Sequence, residues 1–217
     1  MPDAPILAMF GTSFLVGLLG AASPGPLLAF NIREAVRHGF LAGPFVATGH
    51  ALLELVVVII LALGLTQVLG SSMAVAVIGI LGGAFLLWMA WGMLRHPDQG
   101  APGASEHGHR TAGHQVREPV MGGVLVSLSN PYWTVWWVTV GAALMTRSLK
   151  LGTPGVVAFY VGHIMADFAW YTLVAAALAS GRRLITPKVY AGIMMACGAF
   201  LAVIGGYFIV TGARLLA

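Results

Sequence analysis

Two blocks of sequence carry the residues that could do chemistry. Gly49-His50-Ala51-Leu52-Leu53-Glu54 and, 113 positions later, Gly162-His163-Ile164-Met165-Ala166-Asp167 both read Gly-His-x-x-x-acid. On a helix, residues four apart share a face, so each block sets an imidazole one turn from a carboxylate. Such a pair can take up, hold and hand on a proton, or offer nitrogen and oxygen to a divalent cation. The plainer reading is a His–carboxylate pair that only ties two helices together. Placement argues for more. Both blocks lie inside long apolar runs, where a central acid costs roughly 2.5–3.5 kcal/mol on insertion and where ionisable groups by default mark ion or substrate paths.

The elements that must position these blocks follow from composition. The 217 residues are 59% apolar and 8% charged, whereas a soluble domain carries about a quarter charged residues. This is the composition of an integral membrane protein. Six stretches approach the ~20 apolar residues a helix needs to cross the hydrocarbon: residues 6–30, 41–66, 73–94, 119–146, 154–180 and 190–212. His50 and Glu54 fall near mid-depth of the second, and His163 and Asp167 lie within the fifth. Met1 to Pro5 carry no positive n-region, so the first span is expected to remain rather than be cleaved. Cys197 is the single cysteine and can form no internal disulfide. With the amino terminus outside, eight Lys and Arg residues (Arg33, Arg37, Arg95, Arg110, Arg117, Arg182, Arg183, Lys188) face the cytoplasm and three (Arg147, Lys150, Arg214) face out. That asymmetry predicts both termini outside a cell (inner) membrane.

Two spans are interrupted. Ser23-Pro24-Gly25-Pro26 sits inside the first, and Ser129-Asn130-Pro131 inside the fourth. Proline donates no hydrogen bond, so Pro24, Pro26 and Pro131 would free the carbonyls of Gly20, Ala22 and Ser127. Broken backbone at membrane depth survives only where protein covers it or where it lines a watery cavity. Ser23, Asn130 and the serines of the fourth span supply polar groups beside the gaps. A kink that only improves packing is the alternative. Trp133, Trp136 and Trp137 could line a vestibule or form an interfacial belt.

The remaining features read as scaffold. Asn31 to Phe40 is a basic connection, Gly39 and Gly43 have the spacing for close helix contact, and so do Gly79 and Gly83 in the third span. Residues 95–118 are rich in Gly, Ala, Pro and polar groups and read as a flexible linker. Its His96, His107, His109 and His114 could collect metal, but imidazoles in a flexible tract fix no geometry, and a solvated linker is the favoured reading.

Superposing the two halves brings features into register. Ser23 with its prolines meets Ser129-Asn130-Pro131 at an offset of 106, the His–acid blocks meet at 113, and Gly83-Ala84-Phe85-Leu86 meets Gly198-Ala199-Phe200-Leu201 at 115. The chain therefore divides into a first three-helix repeat (1–94), the linker (95–118) and a second three-helix repeat (119–217). Three is odd, so the second repeat enters from the opposite side. The expected fold is an all-α membrane protein of six transmembrane helices in two inverted repeats, with helices 1 and 4 broken by proline, the plan of many secondary transporters.

With Ser23-Pro24-Gly25-Pro26, the paired Gly-His-x-x-x-acid blocks, Asn130-Pro131 and six spans, the sequence resembles the LysE/RhtB family of amino-acid exporters over essentially its whole length. Ser23 stands where the family usually has Thr, and Leu27 where Asn is common. The resemblance implies export of an amino acid or similar small metabolite in exchange for a proton.

On the residues themselves, the breaks would seat the substrate: amides at an amino-terminal helix end attract its carboxylate, and freed carbonyls attract its ammonium. Glu54 and Asp167 would carry the proton, because low dielectric makes the ionised acid costly, and His50 and His163 would relay it. One proton entering against one neutral zwitterion leaving gains about 2.3 kcal/mol per 100 mV, or about forty-fold in gradient. The rival reading is a divalent metal exporter with His50, Glu54, His163 and Asp167 as ligands. Catalysis is disfavoured, since no His-Glu-x-x-His, Gly-x-Ser-x-Gly or cysteine pair is present. No resident cofactor, no structural metal and no nucleic-acid partner is expected. The partners are the substrate, protons and the bilayer, and a homo-oligomer stays open.

Overall fold

The computed structural model describes residues 3–23, 25–63, 72–97, 112–181 and 186–216, and among these every regular element is helical. In chain order they are α1 (Asp3–Ala22), α2 (Pro26–His38), α3 (Ala42–Ala62), α4 (Ser72–Arg95), α5 (Ala112–Leu128), α6 (Pro131–Trp136), α7 (Ala142–Leu149), α8 (Gly152–Ser180) and α9 (Pro187–Arg214). A π-helical turn, Trp137–Gly141, joins α6 to α7. Five helices are long and apolar enough to cross a membrane: Ala4–Ala22, Ala42–Ala62, Ala76–Arg95, Gly152–Ser180 and Pro187–Arg214.

The stretch expected as the fourth span, 119–146, is instead the run of α5, α6, the π turn and α7. None of these pieces is among the helices long and apolar enough to cross a membrane alone. Two other boundaries move. Asn31 to His38, expected as part of a connection, continues α2, because Asn31, Glu34 and Ala35 are buried on one face while Arg33, Arg37 and His38 stay at its edge. The helix ends at Gly39, whose φ of 81° is a value that glycine adopts without strain. The last seven residues of the expected linker, 112–118, already belong to α5. His107 and His109 lie outside the described residues, and His114 falls in α5.

Packing follows small residues. α1 lies along α8, α4 along α9, and α3 between α5 and α8, while α2 touches α5, α8 and α9. The glycine that opens each His–acid block is a contact point. A Cβ on Gly162 would stand 2.5 Å from the Phe10 carbonyl oxygen of α1, and one on Gly49 would overlap the Val120 carbonyl of α5. Gly83, expected at a helix contact, meets Gly205 of α9, and Gly43 meets the Tyr171 backbone of α8. Gly39 makes no such contact and serves the turn.

Charge and apolar surface are inverted relative to a soluble protein. Leu7, Leu19, Leu52, Ile59, Trp88, Leu173 and Val203 are exposed, while His50, Glu54, His163 and Asp167 are buried. A surface of that kind suits lipid, and polar groups so far inside need partners from the protein.

Candidate functional site

The carboxylate of Glu54 is the centre on which the buried polar groups converge. From its own helix α3, His50 Nε2 lies 3.1 Å from Glu54 Oε1. Across the interface, His163 Nε2 of α8 lies 3.3 Å from the same oxygen and 3.3 Å from Oε2. Asp167 closes the group, 3.7 Å from His163 Nε2 and 4.0 Å from His50 Nε2. The two blocks, 113 positions apart in sequence, thus form one cluster in which the cross-helix contact His163–Glu54 is shorter than the contact inside the second block. The close backbone approaches at Gly49 and Gly162 set the depth at which neighbouring helices seal it.

Other residues orient Glu54. The indole N–H groups of Trp133 and Trp137 donate to Glu54 Oε1 at 3.1 and 3.0 Å. Trp133 and Trp137 are four residues apart at the start of the π turn, so one face of that segment presents both indoles. Trp136, on the adjacent face, stacks on the His163 ring with centroids 4.7 Å apart. On the other side, the Ser127 hydroxyl donates to the Gly123 carbonyl at 2.7 Å, leaving its lone pairs toward His50 Nδ1 at 2.7 Å. With the hydroxyl turned to Gly123, His50 Nδ1 is the donor, and Nε2 either donates to an ionised Glu54 or accepts from a protonated one. One proton lies between the two side chains in either state. Ser127→Ala removes that orientation and leaves a buried ring nitrogen unpaired, an effect of about 1–3 kcal/mol. We expect transport to fall by roughly tenfold with an altered pH profile, measured by efflux at several pH values, and Ser127→Thr to restore it.

The two backbone breaks face the same space. At the first, the Ser23 amide donates to Gly20 O at 3.1 Å and the Ser23 hydroxyl to Leu19 O at 2.9 Å. The hydroxyl thus serves Leu19 and not the carbonyls that Pro24 and Pro26 were expected to free. Pro24 lies outside the described residues, Gly25 is extended, and Pro26 opens α2 with a φ already suited to the first helical position. At the second, the Asn130 amide takes Ser127 O at 3.1 Å, the carbonyl that Pro131 was expected to leave free. Asn130 Oδ1 caps the next helix by accepting from Tyr132 N at 3.1 Å, and Pro131 is the first residue of α6.

A cavity of about 300 Å³ joins these parts: Ser23, Gly25, Pro26, His50, Glu54, Asn130, His163 and Asp167 all line it. Ser129 does not, and its backbone packs against Gly82 of α4. Ser127, Trp133, Trp136 and Tyr171 complete the wall. Of these, the tryptophans were legible only as an aromatic cluster near a proline, because nothing in their spacing shows that an indole donor reaches a carboxylate 79 residues away.

An all-helical chain with a lipid-suited surface, broken helices and a cavity lined by four buried ionisable residues has the attributes of a multi-pass membrane translocator. The chain belongs to the LysE type translocator family, whose family model matches residues 18–212. Among curated proteins it is similar to the chemotactic transduction protein ChpE of Pseudomonas aeruginosa, with 28% identity over 168 residues covering 76% of this chain and 79% of the relative. It is also similar to a Bacillus subtilis protein named "Putative amino acid efflux protein YcgF", with 22% identity over 201 residues covering 92% of this chain and 94% of the relative. No solved structure matches it significantly.

Proposed function

We propose that this membrane exporter carries an amino acid or similar small zwitterion outward by exchange with protons, at the cavity between the two breaks. The observation that carries this reading is that one cavity is lined by both interruptions and by all four residues of the His–acid cluster. Among the described residues the lining holds no Lys or Arg. A substrate carboxylate would then be seated by main-chain amides at the amino end of α2, which have no partner within the helix, while Glu54, Asp167 and the carbonyls ending α1 face its ammonium. Proton and ammonium would compete for the same two acids, which is the condition for exchange. Six crossings arranged as inverted repeats, with both termini outside, complete the reading. In support, both breaks line one cavity with the same His–acid cluster, and the fourth segment, although interrupted, runs from Ala112 to Leu149.

The test is efflux from proteoliposomes preloaded with single amino acids, started by an imposed pH gradient. Export that rises with the gradient and vanishes with a proton ionophore is expected, and Asp167→Asn should abolish the response to the gradient. Equal efflux with and without the gradient would remove the proton from the scheme.

A second reading has an observation of its own. One ligand atom each from His50, Glu54 and Asp167 lie within 4.8 Å of one another, close enough to hold a divalent cation as cargo. Both indole N–H groups donate to Glu54 Oε1, so Oε2 would be the oxygen offered to the cation. Uptake of zinc or manganese into the same vesicles, with no response to amino acids, would favour it.

A further inference from the structure

A second cavity, of about 220 Å³, lies apart from the transport site at the end of the bundle where α2 and α4 finish and α9 begins. Its wall combines Arg33 and Arg37 of α2, Trp88, Trp91 and His96 from α4 and its end, and Tyr190 and Met194 of α9. Among the described residues no acidic side chain lines it. Three helices from distant parts of the chain therefore converge to place two guanidiniums over a small hollow.

Arg33 rests over the Phe30 ring at 5.9 Å and touches Glu34 through Nε at 3.6 Å. The side chain keeps 27% of its exposure. Beside the hollow the surface changes character within one helical turn: Trp88 and Trp91 are 69% and 61% exposed, and Leu87 and Leu94 are exposed too. Arg95 lies over the Trp91 ring at 5.1 Å. Indole rings next to basic side chains are the pairing expected at the level of lipid headgroups. The same end also carries Arg117 and Lys188, since His38 at the end of α2 meets Glu118 at the start of α5, and α9 begins at Pro187.

We propose that this hollow binds the phosphate of an anionic phospholipid, with Arg33 and Arg37 holding the phosphate oxygens and Trp88 and Trp91 flanking the glycerol and upper acyl chain. Two guanidiniums suit a phosphate, because each presents parallel N–H donors to a pair of oxygens. A lipid, unlike a soluble phosphate, also covers the exposed indoles. The site ties the finishing end of α2 to α4 and α9, at the other end of that half-helix from the break that starts it, so its occupancy bears on the position of the half-helix.

The test is lipid retention by the full-length purified protein, read by native mass spectrometry and by the melting temperature in detergent. The arms are phosphatidylglycerol, phosphatidylcholine and inorganic phosphate. Phosphatidylglycerol should be retained and raise the melting temperature, and phosphatidylcholine should do neither. Arg33→Gln should weaken retention by about five-fold, the effect of one basic residue near an anionic lipid, and Arg33→Lys should recover most of it. Trp88→Ala, an exposed side chain whose loss leaves the fold intact, should weaken lipid retention as well, which covers the case in which the Arg33 variant does not fold. Equal retention of the two lipids, or phosphatidylglycerol retention unchanged in both Arg33→Gln and Trp88→Ala, would overturn the proposal. So would stabilisation by inorganic phosphate that matches that of the lipid.

Discussion

Glu54→Gln should abolish gradient-driven export, with a loss of a hundred-fold or more, while the protein still assembles. Gln keeps the volume of the side chain, and its carbonyl oxygen can still accept from the indoles of Trp133 and Trp137, which reach Glu54 Oε1 at 3.1 and 3.0 Å. What it loses is the ability to take up and give back a proton opposite His50 Nε2, 3.1 Å away, and His163 Nε2, 3.3 Å away. Removing one member of a buried ionic group costs about 3–5 kcal/mol, most of it from the partners left behind, which corresponds to at least two decades in rate or affinity. The informative measurement is a pair: efflux driven by an imposed pH gradient, and substrate binding to detergent-solubilised protein. Loss of the first with the second reduced by much less identifies Glu54 as the coupling acid. Gradient-driven efflux equal to that of the wild type would end the proton role assigned to it.

The second large effect is on assembly. Gly162→Ala places a methyl group 2.5 Å from the Phe10 carbonyl oxygen, and Gly49→Ala places one inside contact distance of the Val120 carbonyl. Both obstacles are backbone, which cannot rotate aside as a side chain would. The helices α1 and α8, or α3 and α5, must separate, and overpacking of that kind costs about 1–3 kcal/mol or more. Gly206→Ala is the matched control, because a Cβ there meets nothing within 4 Å, and alanine is the better helix former by about 1 kcal/mol. Melting temperature and monodispersity after extraction should fall for the two contact glycines and hold or rise for Gly206→Ala. Equal behaviour of all three would mean that the helix spacing is not set at these positions.

Much of this architecture was written in residue type. Buried acids beside histidines and prolines inside apolar runs are costly, and the costs single them out without any knowledge of contacts. All-helical structure and the five span-length helices among the described residues follow from the length of the apolar runs. The parts that escaped the sequence depend on direction instead. Ser127 and Ser129 are both serines near a proline, yet Ser127 meets His50 while Ser129 packs its backbone on Gly82. A helix that is apolar on every side gives no periodic signal of which face turns inward, so the contact between His163 and Glu54 could not be read from spacing. The continuation of α2 to His38 was hidden for a related reason: charged residues at the rim of a bundle resemble a connection until their neighbours are shown to be buried.

The two interruptions have a mechanical consequence. At each, the chain closes its own open groups locally, through Ser23 onto Leu19 and Gly20 and through Asn130 onto Ser127 and Tyr132. A short segment on one side can then turn about that joint without breaking the hydrogen bonds that close the break itself. Movement at these two points is thereby made cheap, and the rigid rods paired along α1–α8 and α4–α9 remain the frame against which it occurs.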